Sequence, residues 1–568
     1  MANDQNVGLT GLGKFISFLL IAGLIAVGGY VYWARQAKPA PADGDAAHLD
    51  GKGGGGNETA SAADLPDLAL VETKPFPDRL PAPAAYQMKG DVIEIELSEY
   101  AGYAGLIVAN GGLEPNDNSY FKQKHGFKLK ITLSEEESWP ALNQGKMAAS
   151  ATTADVLAVY GRGFDVVVPV QIGFSRGADG VVVRSDIKRV NQLKGQTLVT
   201  AQFTEADFFI RYLAQEAGLG VNTLPNLQAP PAKEKLNLVY AEDAFAAGDL
   251  FLQDLKSGGN RLAGCVTWAP KTTEVADASG GKAQVLTTNR NLLIIADVLV
   301  VNRGFAQANP KVVQGLVDGV LEGNRRVRAD PTPHLPVIAK AFKWDANQAK
   351  LELSKVHFSN GAENLAFFSG AMDAAGSFGG IFNSAVLAYG PAVRDAVDGE
   401  RFVSLDALKA LESTGVFKGE QVAIAPIRTA PTGASLEVDP LLSKDIRFYF
   451  RPNEAALDQS NPENLKMLAD VKQLLQVSPG STLLLRGHVD PGRVAEFRKQ
   501  GGEEYVRKMA LSAMKLSKDR AAEIKRLLVE REKVDPARIE AVGRGWEEPA
   551  GPTQPENMRV EVQWFTLE

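Results

Sequence analysis

Residues 15–33 (FISFLLIAGLIAVGGYVYW) run for 19 positions without a charge, against the ~20 that a helix needs to cross the hydrocarbon core of a bilayer. Tyr30, Tyr32 and Trp33 crowd its far end, where amphipathic rings settle at a membrane interface. A cleaved signal peptide has a shorter apolar core, ~7–15 residues, and ends on small residues. This run is longer and ends on bulky ones, and no cysteine follows it to take a lipid. The expectation is a retained anchor over residues 14–33 behind a tail of residues 1–13. Such an anchor confines every later domain to one side of a membrane. Lys14 on one flank and Arg35 and Lys38 on the other leave that side undecided.

At 568 residues the chain exceeds one core, so two or three domains are expected. A net charge of -7 gives no basic footprint, and nucleic acid is not an expected partner. Cys265 stands alone, which rules out an internal disulfide and any CxxC site. The five histidines, at 48, 125, 334, 357 and 488, lack the spacing of a metal motif. No metal or cofactor is expected.

Residues 34–90 are rich in Ala, Pro, Gly and Asp, with GKGGGG at 51–56. Such a composition cannot bury enough apolar surface to fold, so it is expected to be a flexible linker. From residue 91 to 425 short β-rich runs alternate with helical ones: VIEIELS (92–98), FKLKITLS (127–134), FDVVVPVQI (164–172) and GVVVRS (180–185) read as strands. The runs at 142–161 and 205–219 carry helical spacing. This alternation predicts α/β units with a largely parallel sheet, in two lobes because the segment is long for one core. Residues 426–440 cluster Pro, Thr and Gly as a second linker. The order β-α-β-α-β-β then fills 441–568 as a smaller α+β domain.

The first folded segment resembles type II periplasmic binding proteins of the nitrate, sulfonate, taurine and thiamine-precursor branch. The residues that carry the resemblance are SEYAGYAG (98–105), WPALNQGKMAASATTADVLA (139–158), and FSRGADGVVVRSDIKRVNQLKGQTLVT (174–200). They continue with EDAFAAGDLF (242–251), VTWAPKTTEV (266–275) and ADVLVVNRGF (296–305). The resemblance implies two lobes that close by a hinge on a small solute. It puts the pocket at Ser98, Tyr100 and Tyr103, at Thr152, Thr153 and Asp155, at Thr204, and at Trp268. Strands leading into helix N-termini suit an anionic or polar ligand. The same threonines and aspartates equally suit plain helix capping, and Trp268 equally suits stacking on a ligand or filling the surface between lobes. No nucleophile–base pair or P-loop is present, so catalysis is not expected.

The terminal segment resembles the OmpA-like peptidoglycan-binding domain. Gly487-His488-Val489-Asp490, Leu516-Ser517-Lys518-Asp519-Arg520-Ala521, Gly543-Arg544-Gly545 and Asn557-Met558-Arg559-Val560-Glu561 carry it. The resemblance implies a grip on the diaminopimelate of the peptidoglycan stem peptide. Asp490 would pair its ammonium and Arg520 would fork to its carboxylate, with His488 and Arg559 beside them. Three departures stand against it: Val489 replaces a threonine, Ala513 replaces an asparagine, and a charged insertion makes the loop 491–515 long. A domain kept for protein contacts is the alternative.

Both resemblances imply an inner-membrane, single-pass protein with its bulk in the periplasm. It would bind a small solute and dock on peptidoglycan as an envelope sensor or scaffold. The alternative is a tethered receptor that feeds an ABC permease with a small anionic or polar solute.

Overall fold

In this computed structural model the described residues are 67–134, 138–371, 376–393, 397–424, 442–444, 448, 450–451, 453–477 and 481–565. The expected tail 1–13, anchor 14–33 and linker 426–440 lie outside them, as does the linker 34–90 up to residue 66. Among the described residues no helix is long and apolar enough to cross a membrane.

The chain lays down β1 (Val92–Leu97), β2 (Lys128–Leu133), β3 (Ala149–Thr153) and β4 (Val166–Ser175) before it first crosses over. It then builds β5 (Asp179–Arg184), β6 (Thr197–Ala201), β7 (Gly220–Thr223), β8 (Lys235–Ala241), β9 (Gly264–Trp268) and β10 (Ala283–Thr288). A second crossing returns it to β11 (Ala296–Asn302) and β12 (Val356–Phe358). The result is two six-stranded sheets, ordered β12-β4-β11-β3-β1-β2 and β10-β5-β9-β6-β8-β7. Parallel pairs such as β1 with β3 and β6 with β8 make the middle of each lobe, and antiparallel strands lie at the crossings.

Local chemistry explains these elements. All ten residues of β4 are buried, as its β-branched run requires. Pro169, which has no N–H to give a ladder, falls where the register with β11 slips. The two lobe helices Ala104–Asn110 and Pro310–Ala329 touch through glycine, since a Cβ on Gly323 would stand 1.9 Å from the Gly105 carbonyl oxygen.

Two expectations need correction. The run 142–161 is not one helical unit: Ala149–Thr153 is a fully buried strand, followed by the helix Ala154–Tyr160. Its small residues fit the crowded middle of a sheet, so burial between neighbouring strands overrides their helical spacing. Residues 67–86, expected as the tail of a free linker, lie along both lobes. The Val71 N–H donates to Tyr240 O at 2.9 Å, and the Gln202 side chain pairs with both backbone groups of Lys74. On the other lobe, Asn302 bonds Ala84 O and the Tyr86 N–H, and Tyr86 is buried. A proline-rich strap needs few apolar anchors when buried asparagines satisfy its backbone.

The terminal segment forms a third sheet, β13-β16-β14-β15, from β13 (Leu442–Lys444), β14 (Thr482–Gly487), β15 (Ile539–Gly543) and β16 (Val560–Phe565). Helix Pro462–Val477 and helix Val494–Glu530 accompany it, the latter broken at Gly501–Gly502. The long loop expected at 491–515 is therefore mostly helix. Phe497 anchors its first part, buried beside Trp546 and Tyr505 at ring distances of 6.2 and 5.9 Å.

Candidate solute cleft and terminal-domain site

The C-terminal ends of β1, β3, β6, β8 and β9 converge where the chain crosses between lobes, the usual place for a ligand on α/β sheets. A cleft of about 800 Å³, counting its mouth, opens there. Ser98, Tyr100, Tyr103, Thr152, Thr153, Thr204 and Trp268 all line it. Asp155 does not line it; it lies fully buried in the first turn of helix Ala154–Tyr160, directly behind Thr153.

Capping does not account for these threonines. Thr153 and Thr204 are the N-cap residues of helices Ala154–Tyr160 and Glu205–Glu216, and neither side chain makes a cap hydrogen bond. Thr204 Oγ1 donates instead to Ala201 O. The hydroxyls of Thr152 and Thr153 have no partner although both residues are buried. An unpaired buried polar atom costs ~1–3 kcal/mol, a cost that a water or ligand at the cleft wall would remove. The Trp268 Nε1–H is likewise buried without an acceptor, while its ring packs on Phe245 at 5.5 Å. Tyr103 meets Tyr100 edge-on at 5.4 Å and donates to Asp297 Oδ1 at 3.3 Å.

Sequence reasoning missed the acids. Glu96, Asp179, Glu205, Glu242, Asp243 and Asp297 line the same cleft, and among the described residues no lysine, arginine or histidine does. Asp297, second in β11, stands opposite Thr153, and Asp179 opens β5 opposite Trp268. Burial drives the Asp297 carboxyl well above its ordinary range, and the charges of Asp179 and Asp155 add to the rise. Burial likewise lifts Asp179 to about 6, against the hydrogen bonds from Ser175 and Asn289. It lifts Asp155 to about 7. The signal was present: GADGVVV and IIADVLVV each set one aspartate at the head of an otherwise apolar strand.

In the terminal domain, Gly487 and Gly543 are register partners on β14 and β15. A Cβ on Gly487 would stand 1.9 Å from Ser517 O, and one on Gly543 would stand 2.7 Å from Ser517 Oγ. The motif glycines thus let helix Val494–Glu530 lie directly on the sheet. Ser517 completes the joint by accepting from the Gly545 N–H at 2.9 Å.

Of the four residues expected to hold cell-wall peptide, His488 and Arg559 lie together, the His488 N–H donating to Arg559 O at 2.8 Å. Asp490 is half-buried, with Oδ1 accepting from Asn557 Nδ2 and Oδ2 from the Gly492 N–H, each at 3.0 Å. Arg520 is 1% exposed; it donates to Glu454 O and Arg451 O and lies over Phe450 at 5.1 Å. No hydrogen bond or ion pair joins Asp490 to Arg520 among the described residues. His488 is buried 3.5 Å from Glu561, which Arg559 also approaches at 3.5 Å. Of the four, Asp490 is the most open to solvent.

Residues 449–562 match the OmpA family. No curated protein matches the chain. The solved structures similar to its N-terminal part are solute-binding proteins. One is the alkanesulfonate-binding protein SsuA from Xanthomonas axonopodis pv. citri, bound to MOPS: 14% identity over 56% of this chain and 100% of that one, TM-score 0.42. The periplasmic aliphatic sulphonate binding protein SsuA from Escherichia coli gives 15% over 62% and 100%, TM-score 0.41. The periplasmic nitrate-binding protein NrtA from Synechocystis gives 12% over 61% and 92%, TM-score 0.42.

Proposed function

We propose that this chain is an inner-membrane-anchored periplasmic protein that binds a small solute between two lobes and docks on peptidoglycan, as an envelope sensor or scaffold. The observation that carries the solute half is the cleft itself. Residues of both sheets line it at the chain crossings, with buried hydroxyls left unpaired. A cleft between two lobes with a few convergent polar groups is the usual seat of a small molecule. The match of residues 449–562 to the OmpA family supports the wall half, and Asp490 is the residue best placed to reach a ligand from solvent. The uncharged run at 15–33 supports the anchor.

The test is a thermal-shift screen of the full chain in detergent against polar metabolites of every charge. A ligand that binds only the folded protein raises its melting temperature. A saturable shift supports the reading, and silence across the whole library removes it.

A further inference from the structure

We propose that the cleft takes a small organic cation bearing N–H donors, of the diamine class, and excludes anions. This rests on the solute-binding reading above and names the ligand's chemistry.

Charge is the first argument. Every titratable side chain in the cleft wall, tyrosines aside, is a carboxylic acid. Asp179 and Asp297 are each at least nine-tenths buried, as is Asp155 behind them, and among the described residues none of the three forms an ion pair. Their hydrogen bonds come from neutral donors: Ser175 and Asn289 serve Asp179, and Tyr103 serves Asp297. Desolvated carboxylates without a countercharge are costly, and a bound cation is what would relieve them.

The helix N-termini point the same way. In a site for sulfonate or nitrate these positive ends would face the ligand. Here Asp155 sits in the first turn of helix Ala154–Tyr160, and Glu205 and Asp207 in that of helix Glu205–Glu216. Asp243 caps helix Ala244–Lys256 by accepting from the Ala246 N–H. Asp243 thus takes an N–H that an anion would use, and the acids of the other two first turns set negative charge beside those ends.

An independent observation aims at a ligand. Among the described residues Asp297 Oδ2 and the Thr152 hydroxyl have no partner, on cleft-lining residues that are each 2% exposed. Both oxygens can accept from a ligand's N–H groups. Trp268, Tyr100 and Tyr103 are in the wall, and aromatic rings attract cations electrostatically. Among the described residues no set of three or more acidic, histidine or cysteine ligands converges enough to hold a metal ion. The acids instead divide between lobes, Glu96 and Asp297 on one and Asp179, Glu205, Glu242 and Asp243 on the other. A molecule with two cationic ends matches that division and bridges the lobes as they close.

The test titrates the full chain in detergent with putrescine and agmatine, and separately with taurine and nitrate at matched ionic strength, followed by melting temperature and calorimetry. The diamines are expected to stabilise the protein saturably, and the anions to do nothing. Asp297→Asn keeps an acceptor for Tyr103 and is expected to raise the melting temperature of the empty protein while weakening putrescine at least tenfold. Loss of a merely structural carboxylate would not produce those opposite signs. Stabilisation by taurine or nitrate with silence from both diamines overturns the cation proposal and leaves the solute reading standing. Putrescine binding unchanged by Asp297→Asn places the amine elsewhere and also overturns it. Silence from these four and from the metabolite library fails both readings together.

Discussion

Asn289 donates its side-chain amide to Asp179 Oδ2 at 2.9 Å and so joins the two segments that carry the chain between lobes. The same amide reaches Ser175 O, and its oxygen accepts from the Gly177 N–H. One buried asparagine therefore pins both crossings at the floor of the cleft. Asn289→Ala should cost ~1–3 kcal/mol, the usual loss for buried groups left unpaired. Asp179→Asn should cost less, because it discards a desolvated charge. Urea melts of the two variants decide the order, and equal losses would contradict it.

The empty protein should lose stability as pH rises from about 4 to about 7. Asp179 and Asp155 titrate in the folded state near 6 and 7, above their ordinary 3.8. Below 3.8 both states hold the protons and no penalty exists. Above it the unfolded chain ionises first, so folding is progressively disfavoured until the folded values are passed. At 1.36 kcal/mol per unit the loss is on the order of a few kcal/mol. Asp318 opposes this at the acid end. Its hydrogen bonds from His125, Lys124 and Tyr120 outweigh burial and lower its carboxyl to about 2, so its contribution fades as pH falls from 3.8 towards 2. Denaturant midpoints should peak between these windows, and a rise from pH 5 to pH 7.5 would refute the assignment.

Gly487→Ala should unfold the terminal domain locally, since its Cβ would meet backbone at 1.9 Å that cannot move without lifting the helix. Limited proteolysis should then cut within residues 494–530 while the two-lobed part stays resistant. Protection equal to wild type would mean the helix has another seat.

Most of the cleft was legible in the sequence because its threonines and aromatics sit in contiguous strand–turn–helix phrases. The acids were not, because they come from separate strands that only the double crossing brings together. Asp179 and Asp297 are more than 110 residues apart in the chain, yet both contact the Ser175–Tyr103 neighbourhood. The strand Ala149–Thr153 was hidden by small residues whose spacing fits either structure. The helix across 494–500 was hidden by an apolar content too thin to signal, with Phe497 as its buried anchor. The motif Gly-His-Val-Asp could be read, but not that Arg520 would turn inward to the 451–454 carbonyls.

That orientation changes how wall binding should be tested. Arg520→Ala removes a buried guanidinium that holds backbone, so it should destabilise the domain as well as weaken binding. Asp490→Ala is the cleaner change, since it loses only Asn557 and the Gly492 N–H. The full chain should sediment with purified peptidoglycan, and Asp490→Ala should reduce that at least tenfold with its melting curve unchanged. Undiminished sedimentation would leave the domain to protein contacts.

The account turns on two lobes closing over a solute, and one distance reports it. Thr132 and Thr223 are exposed residues of β2 and β7, each near the C-terminal end of an outer strand, one in each lobe. Cys265 is fully buried and its thiol is pushed far up by burial, so Thr132→Cys and Thr223→Cys can be spin-labelled selectively in the full chain. With whichever screened compound stabilises the protein most, the distance between the labels should shorten by several Å and return on dialysis. The same distribution with and without saturating compound would contradict the account.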